Sequence, residues 1–439
     1  MHDLTARLAR HAIEYRTAAL DTSTLTVAKQ CVLDWFGVTL AGMDEPVARI
    51  LRSEIAPGSR GMSSIIGHDM RCAPADAALI NGATSHALDY DDVHPLVGHP
   101  TAAILPAALA LGEAESCSGD DVLRAFVAGY EVAAFVGSLV MPSHYDRGFH
   151  STATLGAFGA AAAAGVLMKL NETQMAVALG LAGTQAAGLK SMFGTMAKPF
   201  HAGKAASNGI IAARLAARGF SANPAVLDVA QGFVTTQCDG RPEKDVRPLP
   251  LGSVVVTTRF KYHAACYLTH STIEAVAALR RELKLSGPDI ASIDVHVPIG
   301  HLSVCNIPAP RNGLETKFSL RHTAALAACG TDTASVTSYS DRYAVDPSLA
   351  EVRERVTVYG DRPPGQDARV IMTSRSGRSA ELTCDVGLPD SDLTRQGKRL
   401  ADKFTTLASA VVGADRADKL RNNIATLNAQ HRINLLTTV

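Results

Sequence analysis

The sequence predicts a mainly α protein with a smaller α+β domain, and two observations support this fold class. Up to about residue 220, apolar residues recur at helical spacing in one segment after another. After about residue 250, short segments alternate apolar and polar residues, as half-buried strands do. A chain of 439 residues exceeds what one hydrophobic core usually supports. We therefore predict an all-helical bundle domain at 1–250 and an α+β domain at 251–390. From Ser391 onward the chain is helical again and packs back on the bundle or across it.

The helical half carries local signals that place individual helices. Residues 25–41 have helical spacing and stop at a glycine. Ser118–Asp121 and Asn171–Gln174 have the form of capping boxes, in which side chains and backbone N–H groups bond reciprocally at a helix start. A further helix is predicted over 199–218. Alanine and glycine dominate these segments, which permits close approach between helices.

The second domain is predicted to contain strands and a few helices. Two of the strands flank Arg375–Arg378, whose turn residues favour a hairpin. The strands are predicted at 292–298, around Val356 and Val358, at 370–374 and at 380–386, with helices over 269–283 and 316–329.

Composition excludes several classes of partner. Apolar residues make up 47% of the chain, and 42 basic residues balance 42 acidic ones, so nothing favours nucleic acid or an anionic membrane. Eight scattered cysteines without a CxxC pair are typical of reduced thiols. The charged N-terminal segment lacks the apolar region of a signal peptide. Residues 151–168 are rich in alanine and glycine, which favours an internal helix over a membrane span. We predict a cytoplasmic protein.

Residues 86–100 are the segment richest in ionisable groups, with three histidines and three aspartates. This composition predicts an active-site loop between two helices. Imidazole and carboxylate are suitable metal ligands, but their spacing fits no defined metal motif, and we predict no metal. The alternative interpretation, that these residues are caps and turn formers, accounts well for Asp91 and Asp92.

Three basic side chains lie beside predicted helix starts. His99 precedes Pro100, Lys198 precedes Pro199, and His150 precedes Ser151 and Thr152. A helix N-terminus offers free N–H groups and positive potential, and therefore attracts anions. If the three helix starts converge, they form a pocket for a substrate with two or three carboxylates. The alternative for each is a surface side chain.

A fourth candidate segment is Arg259–His270. His270 lies near the start of the predicted helix over 269–283, where a histidine can act as an acid or a base near neutral pH. Lys261 can do the same if it is desolvated. Packing is the alternative interpretation for Lys261 and His263. The sequence has no GxSxG, Walker A or GxGxxG motif, so nucleophilic and nucleotide-dependent chemistry are not favoured.

A set of short motifs occurs in a fixed order along nearly the whole chain. The motifs are Asn81-Gly82, His86–Asp92, His99-Pro100, Gly148–Gly156, Gly194–Gly203, Thr269-His270 and Lys317–Leu320. As an ordered set they resemble the MmgE/PrpD family, which includes 2-methylcitrate dehydratase, cis-aconitate decarboxylase and iminodisuccinate epimerase.

The resemblance implies a fold, an assembly and a site. It implies that residues 391–439 complete the helical domain and that the α+β domain is a lid. It also implies a homodimer that works without a metal or an organic cofactor. The pocket would lie between the domains. Its implied lining residues are Asp89, His99, His150, Lys198 and His270.

The chain departs from the family pattern at informative positions. Val93 stands where decarboxylase-like members have threonine, which removes a polar substrate contact and disfavours decarboxylation. His322 stands where tyrosine is usual and is expected to supply a different acid. Tyr145 and Lys261 match the pair suggested for proton transfer in the epimerase, although the remaining sequence is not close to that enzyme.

The reactions of the family share one step, which forms negative charge on carbon beside a carboxylate. Positive potential from the protein must stabilise that charge. We assign substrate binding to Lys198, His150 and His99, with Asp89 orienting a histidine and His322 as a further contact. His270 is the leading acid or base, with Tyr145, Lys261 and His150 as its partners.

We therefore predict a cofactor-independent lyase that acts on a small di- or tricarboxylic acid, in the manner of 2-methylcitrate dehydratase. A hydro-lyase reaction comes first, an epimerase or isomerase second and a decarboxylase third. The non-enzymatic alternative is a polycarboxylate-binding protein.

Overall fold

The computed structural model describes residues 4–239 and 249–433. It divides into two compact units. The first comprises residues 1–260 and 391–439, and the second comprises residues 261–390. Helices dominate the described residues, and the main sheet lies in the second unit. A mainly α fold with a smaller α+β part is thus confirmed.

The first unit is built from helices and one short strand pair. Its strands β1 (Ser63–Ser64) and β2 (Arg71–Cys72) are antiparallel. Up to residue 239 its helices are α1 (Leu4–Glu14), α2 (Thr22–Gly42), α3 (Pro46–Ile55), α4 (Pro74–Ser85), α5 (Pro100–Ala114), α6 (Gly119–Val140), α7 (Ser143–Asp146), α8 (Ser151–Leu167), α9 (Glu172–Gln185), α10 (Ala197–Ala217) and α11 (Phe233–Gln237).

The predicted helix signals are confirmed in detail, with one correction. Both capping boxes form, at the starts of α6 and α9, and α2 ends at Gly42. Helix α10, however, begins at Ala197, whose N–H donates to Thr195 Oγ1, and not at Pro199. Pro199 lies in the first helical turn, where its missing N–H leaves no intrahelical bond unmade.

Small residues let the central helices pack closely. Every residue of α8 is buried, as expected for the internal helix predicted at 151–168. A Cβ added at Gly203 in α10 would lie 2.1 Å from the backbone oxygen of Leu79 in α4, so only glycine fits. Among the described residues, α6 is the one helix long and apolar enough to cross a membrane, and 83% of its apolar window is buried inside the protein.

The second unit is a four-stranded mixed sheet with helices. The sheet order is β4–β3–β5–β6, with β3 parallel to β4 and the other neighbours antiparallel. The hairpin predicted at Arg375–Arg378 is confirmed between β5 and β6. The elements are α12 (His270–Leu283), β3 (Ile290–Pro298), α13 (Ile299–Leu302), α14 (Gly313–Thr316), α15 (Leu320–Ala328), α16 (Asp341–Ala344), α17 (Pro347–Arg353), β4 (Val356–Arg362), β5 (Asp367–Ser374) and β6 (Ser379–Asp385).

Two C-terminal helices, α18 (Leu393–Val412) and α19 (Ala414–Ala425), belong to the first unit. Helix α18 packs against α2. Its Lys403 ammonium lies 2.6 Å from Asp34 Oδ1 of α2 and donates to the backbone oxygen of Tyr90 at 2.8 Å. The tail thereby supports the segment that carries Asp89 and Asp91.

Glu131 makes the stability of the first unit depend on pH. The side chain is buried in α6, where it accepts N–H bonds from Val254 and Val255 at 2.9 and 3.0 Å. Burial raises the pKa of Glu131 from 4.5 to about 7, so the native state holds its proton more tightly than the unfolded chain. Stability therefore falls as pH rises from about 4.5 to about 7. We expect Glu131→Gln to stabilise the protein at pH 8, by about 3 kcal/mol at most.

The measurement is urea unfolding of both proteins at pH 5 and pH 8. At pH 5 the two unfolding midpoints are expected to lie close together, because the wild-type carboxyl is then largely protonated. An equal effect of the substitution at both pH values would contradict the proposed cause.

Candidate active site

The starts of three helices in the first unit bring together four of the predicted site residues. His99 is the N-cap residue of α5, His150 is the N-cap residue of α8, and Lys198 lies in the first turn of α10. Lys198 Nζ lies 2.8 Å from Asp89 Oδ1, and His99 Nε2 lies 3.5 Å from the same oxygen. The rings of His86 and His150 stack with centroids 6.2 Å apart. The arrangement places two basic groups on one carboxylate oxygen.

Asp91 is the buried anion that organises this cluster. It accepts from His86 Nδ1 at 2.8 Å, and His99 Nδ1 lies 3.0 Å from its other oxygen. Burial alone would raise the pKa of Asp91, but the attraction and hydrogen bonds of the two imidazoles outweigh burial and hold it well below its usual value. His99 thus has a carboxylate on each side of its ring, so that both ring nitrogens face an acceptor.

The neighbouring Asp92 has the opposite character. Burial raises its pKa well above the usual value, and the negative charge of Asp91 adds to this effect. Its Oδ2 accepts a hydrogen bond from Thr101 at 2.6 Å. The pKa values of two adjacent carboxyl groups are therefore shifted in opposite directions, a pattern common where acids and bases are assigned separate tasks. The surroundings thus favour the ionised form of Asp91 and the neutral form of Asp92.

Backbone geometry fixes the position of His99. The preceding Gly98 has a φ of 91°, and a Cβ there would lie 2.5 Å from Thr152 Oγ1, so glycine is required. Thr152 Oγ1 accepts the backbone N–H of His99 at 3.0 Å. The sequence placed Ser151 and Thr152 as caps of α8, but neither forms a side-chain cap bond to its own helix. Thr152 instead ties the start of α8 to the His99 loop.

His150 is a neutral imidazole at the start of α8. Burial is the main cause that lowers its pKa far below the usual value, and the nearby His86 and Lys198 add to it. Its Nδ1 lies 3.0 Å from His201 Nδ1, and its ring meets Phe193 edge to face at 4.9 Å. Lys198 Nζ lies 5.5 Å from the centre of the same Phe193 ring. At neutral pH, His150 can donate or accept one hydrogen bond without carrying charge.

Four side chains of this cluster also form a candidate cation site. One ligand atom from each of His86, Asp89, Asp91 and His99 lies within 4.8 Å of the others. The ligand types suit zinc or another first-row metal. A metal would have to replace the Lys198 contact of Asp89 and the imidazole protons on Asp91. The residues can therefore hold either an ion or the proton network described above.

His270 lies in the second unit as the first residue of α12. Its Nε2 donates to the backbone oxygen of Ala265 at 3.2 Å, which leaves Nδ1 as the nitrogen with a lone pair. Burial lowers the pKa of His270 well below its usual value, with further contributions from His263 and Lys261. The His263 ring meets it edge to face at 4.9 Å. His270 is thus a neutral imidazole with a fixed tautomer, as a general base requires.

Lys261 and His322 are also buried in the second unit. His322 Nδ1 accepts a long hydrogen bond of 3.4 Å from Arg353, and its Nε2 has no hydrogen-bond partner among the described residues. Burial, followed by Arg353, lowers the pKa of His322 to about 4. Any acid role of His322 at neutral pH therefore rests on the N–H of a neutral ring.

Tyr145 is placed in the first unit and Lys261 in the second, and their pairing remains a prediction. Lys190, in the first unit, lies against Tyr145. Its ammonium lies 3.6 Å above the centre of the phenol ring and donates to the Tyr145 backbone oxygen at 3.0 Å. A cation at this distance is attracted to the ring face.

The sequence interpretation did not assign site roles to three members of the cluster. His86 and Asp91 lie in the histidine-rich segment that was identified, but Asp91 was explained there as a turn former. His201 lies one helical turn after Lys198, in a motif that was quoted for the family resemblance. Helical spacing was the signal that could have found it, because residues three apart share a helix face.

The chain combines a helical unit with an α+β unit, and its helical unit holds an ion-paired cluster of acidic and basic side chains at three helix starts. Together the fold and this cluster define a class of protein. The chain belongs to the MmgE/PrpD family. The MmgE/PrpD N-terminal domain matches residues 6–245, and the MmgE/PrpD C-terminal domain matches residues 263–429.

The chain is similar to proteins named as cis-aconitate decarboxylases. The chain is 27% identical to cis-aconitate decarboxylase of Aspergillus terreus, over 97% of this chain and 93% of the relative. It is 27% identical to the human cis-aconitate decarboxylase, over 94% of this chain and 89% of the relative. A cis-aconitate decarboxylase-like protein of Aspergillus oryzae is 32% identical over 66% of this chain and 64% of the relative. Family and relatives together support a lyase.

Proposed function

We propose that the protein is a cofactor-independent lyase that transfers a proton beside a carboxylate of a small di- or tricarboxylic acid. The observation that carries the proposal is the cluster in which Lys198 and His99 face one oxygen of Asp89 while Asp91 holds two imidazoles. An acid substrate entering this cluster meets the Lys198 ammonium, the His99 imidazole and three helix starts. Such fixed positive groups stabilise charge that forms during a reaction.

The chemistry follows from the states of these groups. Removing a proton or carbon dioxide next to a carboxylate leaves an electron pair that spreads onto the carboxylate oxygens. The Lys198 ammonium and the His99 imidazole stabilise that added charge, while neutral His150 is able to give a proton. Positioned acid–base groups typically contribute a hundred- to ten-thousandfold each, in order of magnitude about 10²–10⁴. His270, which lies in the second unit, has the fixed tautomer that a base needs, and its role as the base stays a prediction.

Dehydration is our proposed reaction, and decarboxylation is the second candidate. Val93 favours dehydration, because it stands at the position where decarboxylase-like members have threonine. The names of the relatives favour decarboxylation, since those compared above are cis-aconitate decarboxylases or proteins like them. Both reactions use the same charge-stabilising groups and differ in the bond that breaks. A homodimer and a cytoplasmic location are further parts of this proposal.

Proton NMR in deuterated water tests the proposal with 2-methylcitrate, citrate, cis-aconitate and iminodisuccinate. A new vinyl signal from a hydroxy acid is expected and indicates elimination of water. Loss of carbon dioxide from cis-aconitate indicates the second candidate. Exchange at the α-carbon without net product indicates epimerisation. If no acid in the panel shows any of these changes, the enzyme proposal fails.

The same assay tests independence from metals. We expect prior treatment with EDTA to leave the rate unchanged, because ion pairs already satisfy the cluster. Loss of activity that zinc or magnesium restores would contradict this expectation and assign an ion to His86, Asp89, Asp91 and His99.

A further inference from the structure

His150 and His201 form a hydrogen-bonded pair through like nitrogens. The two Nδ1 atoms lie 3.0 Å apart, with the rings 5.3 Å apart between centroids. Two nitrogens at this distance share a hydrogen bond only if one carries a proton and the other offers a lone pair. Each ring therefore dictates the tautomer of the other.

The two rings differ in access to solvent. His150 is 2% exposed, whereas His201 is half-buried on α10. Within the described part of the chain, His201 is the one hydrogen-bond partner of the His150 ring. The backbone N–H of His150 donates to the Gly188 oxygen at 3.0 Å, which fixes the start of α8 beside the His201 ring. A proton that leaves or reaches buried His150 on the Nδ1 side thus passes through His201.

We propose that His201 is a positioning residue that holds His150 in the Nε2–H tautomer and relays solvent protons to it. This inference rests on the proposed function, in which His150 meets the substrate. His201 donates its Nδ1 proton to His150 Nδ1, so that His150 presents Nε2–H to the acid.

The proton balance of the relay is the same for both candidate reactions. In dehydration, the carbon–oxygen bond breaks and the leaving hydroxyl takes the His150 Nε2 proton, while a base takes the α-proton. In decarboxylation, the carbon–carbon bond breaks and the electron pair left on the α-carbon takes that proton. His150 Nδ1 then receives the His201 Nδ1 proton, and His201 Nε2 receives one from water. Both rings end neutral but in the opposite tautomers, and in dehydration the hydroxide left by that water takes the α-proton from the base. After the product leaves, a solvent proton taken up at His150 Nε2 drives the reverse transfer through the pair, His201 Nε2 releases its proton to solvent, and the starting tautomers are restored.

The first test determines the tautomers of His150 and His201 and needs no substrate. In protein labelled with ¹⁵N-histidine, long-range proton–nitrogen NMR spectra distinguish protonated from unprotonated ring nitrogens. We expect a protonated Nδ1 at His201 and an unprotonated Nδ1 at His150, with signals assigned from single variants. His201→Asn is expected to keep the His150 tautomer, because an asparagine N–H can take the place of the Nδ1–H donor. A His150 ring protonated at Nδ1 would overturn the proposed tautomer.

The second test separates relay from structure by kinetics with the acid that the NMR panel identifies. We expect His201→Asn to lower kcat about 100-fold, at the low end for positioned acid–base groups, with little change in KM. Added imidazole is expected to raise kcat of His201→Ala and to leave wild type unchanged. The matched control is His11→Asn, because His11 contacts Glu14 and Tyr15 away from the cluster. It is expected to retain wild-type kcat.

The outcomes separate the relay from the proposed function. Wild-type kcat in folded His201→Asn, or no imidazole rescue of folded His201→Ala, overturns the relay and leaves the lyase proposal intact. If wild type turns over none of the acids, the lyase proposal fails, and the tautomer spectra still decide the His201–His150 pairing.

Discussion

Lys198→Met is expected to lower kcat/KM by about a thousandfold, at the upper end of the loss from removing one charge-stabilising donor. The substitution keeps the length of the side chain and removes the ammonium that lies 2.8 Å from Asp89 Oδ1. The Asp89 carboxylate then faces an anionic substrate without this counter-charge, and the charge formed in the reaction loses its nearest cation. Binding and turnover are both expected to weaken. The measurement is steady-state kinetics with the acid that the NMR panel identifies.

The controls separate this charge effect from folding. Lys204→Met lies on the same helix at an exposed position and is expected to retain wild-type kinetics. Lys198→Met itself is expected to unfold at the wild-type urea midpoint, because a partly exposed ion pair contributes little to stability. Activity of Lys198→Met within threefold of wild type would remove Lys198 from the proposed mechanism.

The pKa of His150 provides a second measurement on Lys198→Met. Lys198 is one of the charges that hold the pKa of His150 below its usual value, after burial and His86. Without the ammonium, that pKa is expected to rise while burial still keeps the ring largely neutral at pH 7. Histidine NMR against pH follows this change.

Local patterns in the sequence predicted local structure well. Ser118–Asp121 and Asn171–Gln174 form capping boxes because all the groups that each box needs lie within four residues. The fold class followed from the change between helical and alternating patterns. The start of α10 was misplaced because Pro199 is equally compatible with the first residue and the first turn of a helix.

The sequence predicted individual residues of the candidate site but not which of them contact one another. Basic groups at helix starts identified His99, His150 and Lys198 as candidates. Their partners depend on how helices far apart in the chain pack together, as in the His150–His201 pair. The protonation states of Asp91 and Asp92 depend on burial and on imidazoles that only the fold brings near. A sequence pattern shows neither the burial of a carboxyl group nor its distance to an imidazole.

The loop of the cluster is also held by Lys403, which lies more than three hundred residues after Tyr90 in the chain. Lys403 in α18 reaches across the first unit to the backbone oxygen of Tyr90, and its ammonium lies 3.9 Å from the centre of the Tyr90 ring. Tyr90 stands between Asp89 and Asp91 in the chain. The C-terminal tail therefore holds the backbone of the segment that carries Asp89 and Asp91.

Lys403→Met is expected to destabilise the protein by about 3–5 kcal/mol, the usual cost of removing one partner of a buried ion pair. The ammonium and the Asp34 carboxylate are 3% and 1% exposed, so the remaining carboxylate would be held in the protein interior without this counter-charge. The urea unfolding midpoint measures the effect. Lys398→Met, at an exposed position of the same helix, is expected to match wild type.

A double substitution decides whether charge or packing causes this loss. Asp34→Leu combined with Lys403→Met replaces the pair by apolar side chains, which is often neutral or stabilising for a buried ion pair. We expect the double variant to recover most of the stability lost by Lys403→Met, so the two substitutions are strongly non-additive. Additive losses would show instead that Lys403 acts by packing. Because the double variant still lacks the Lys403 bond to the Tyr90 oxygen, its activity is expected to stay below wild type even where its stability is restored.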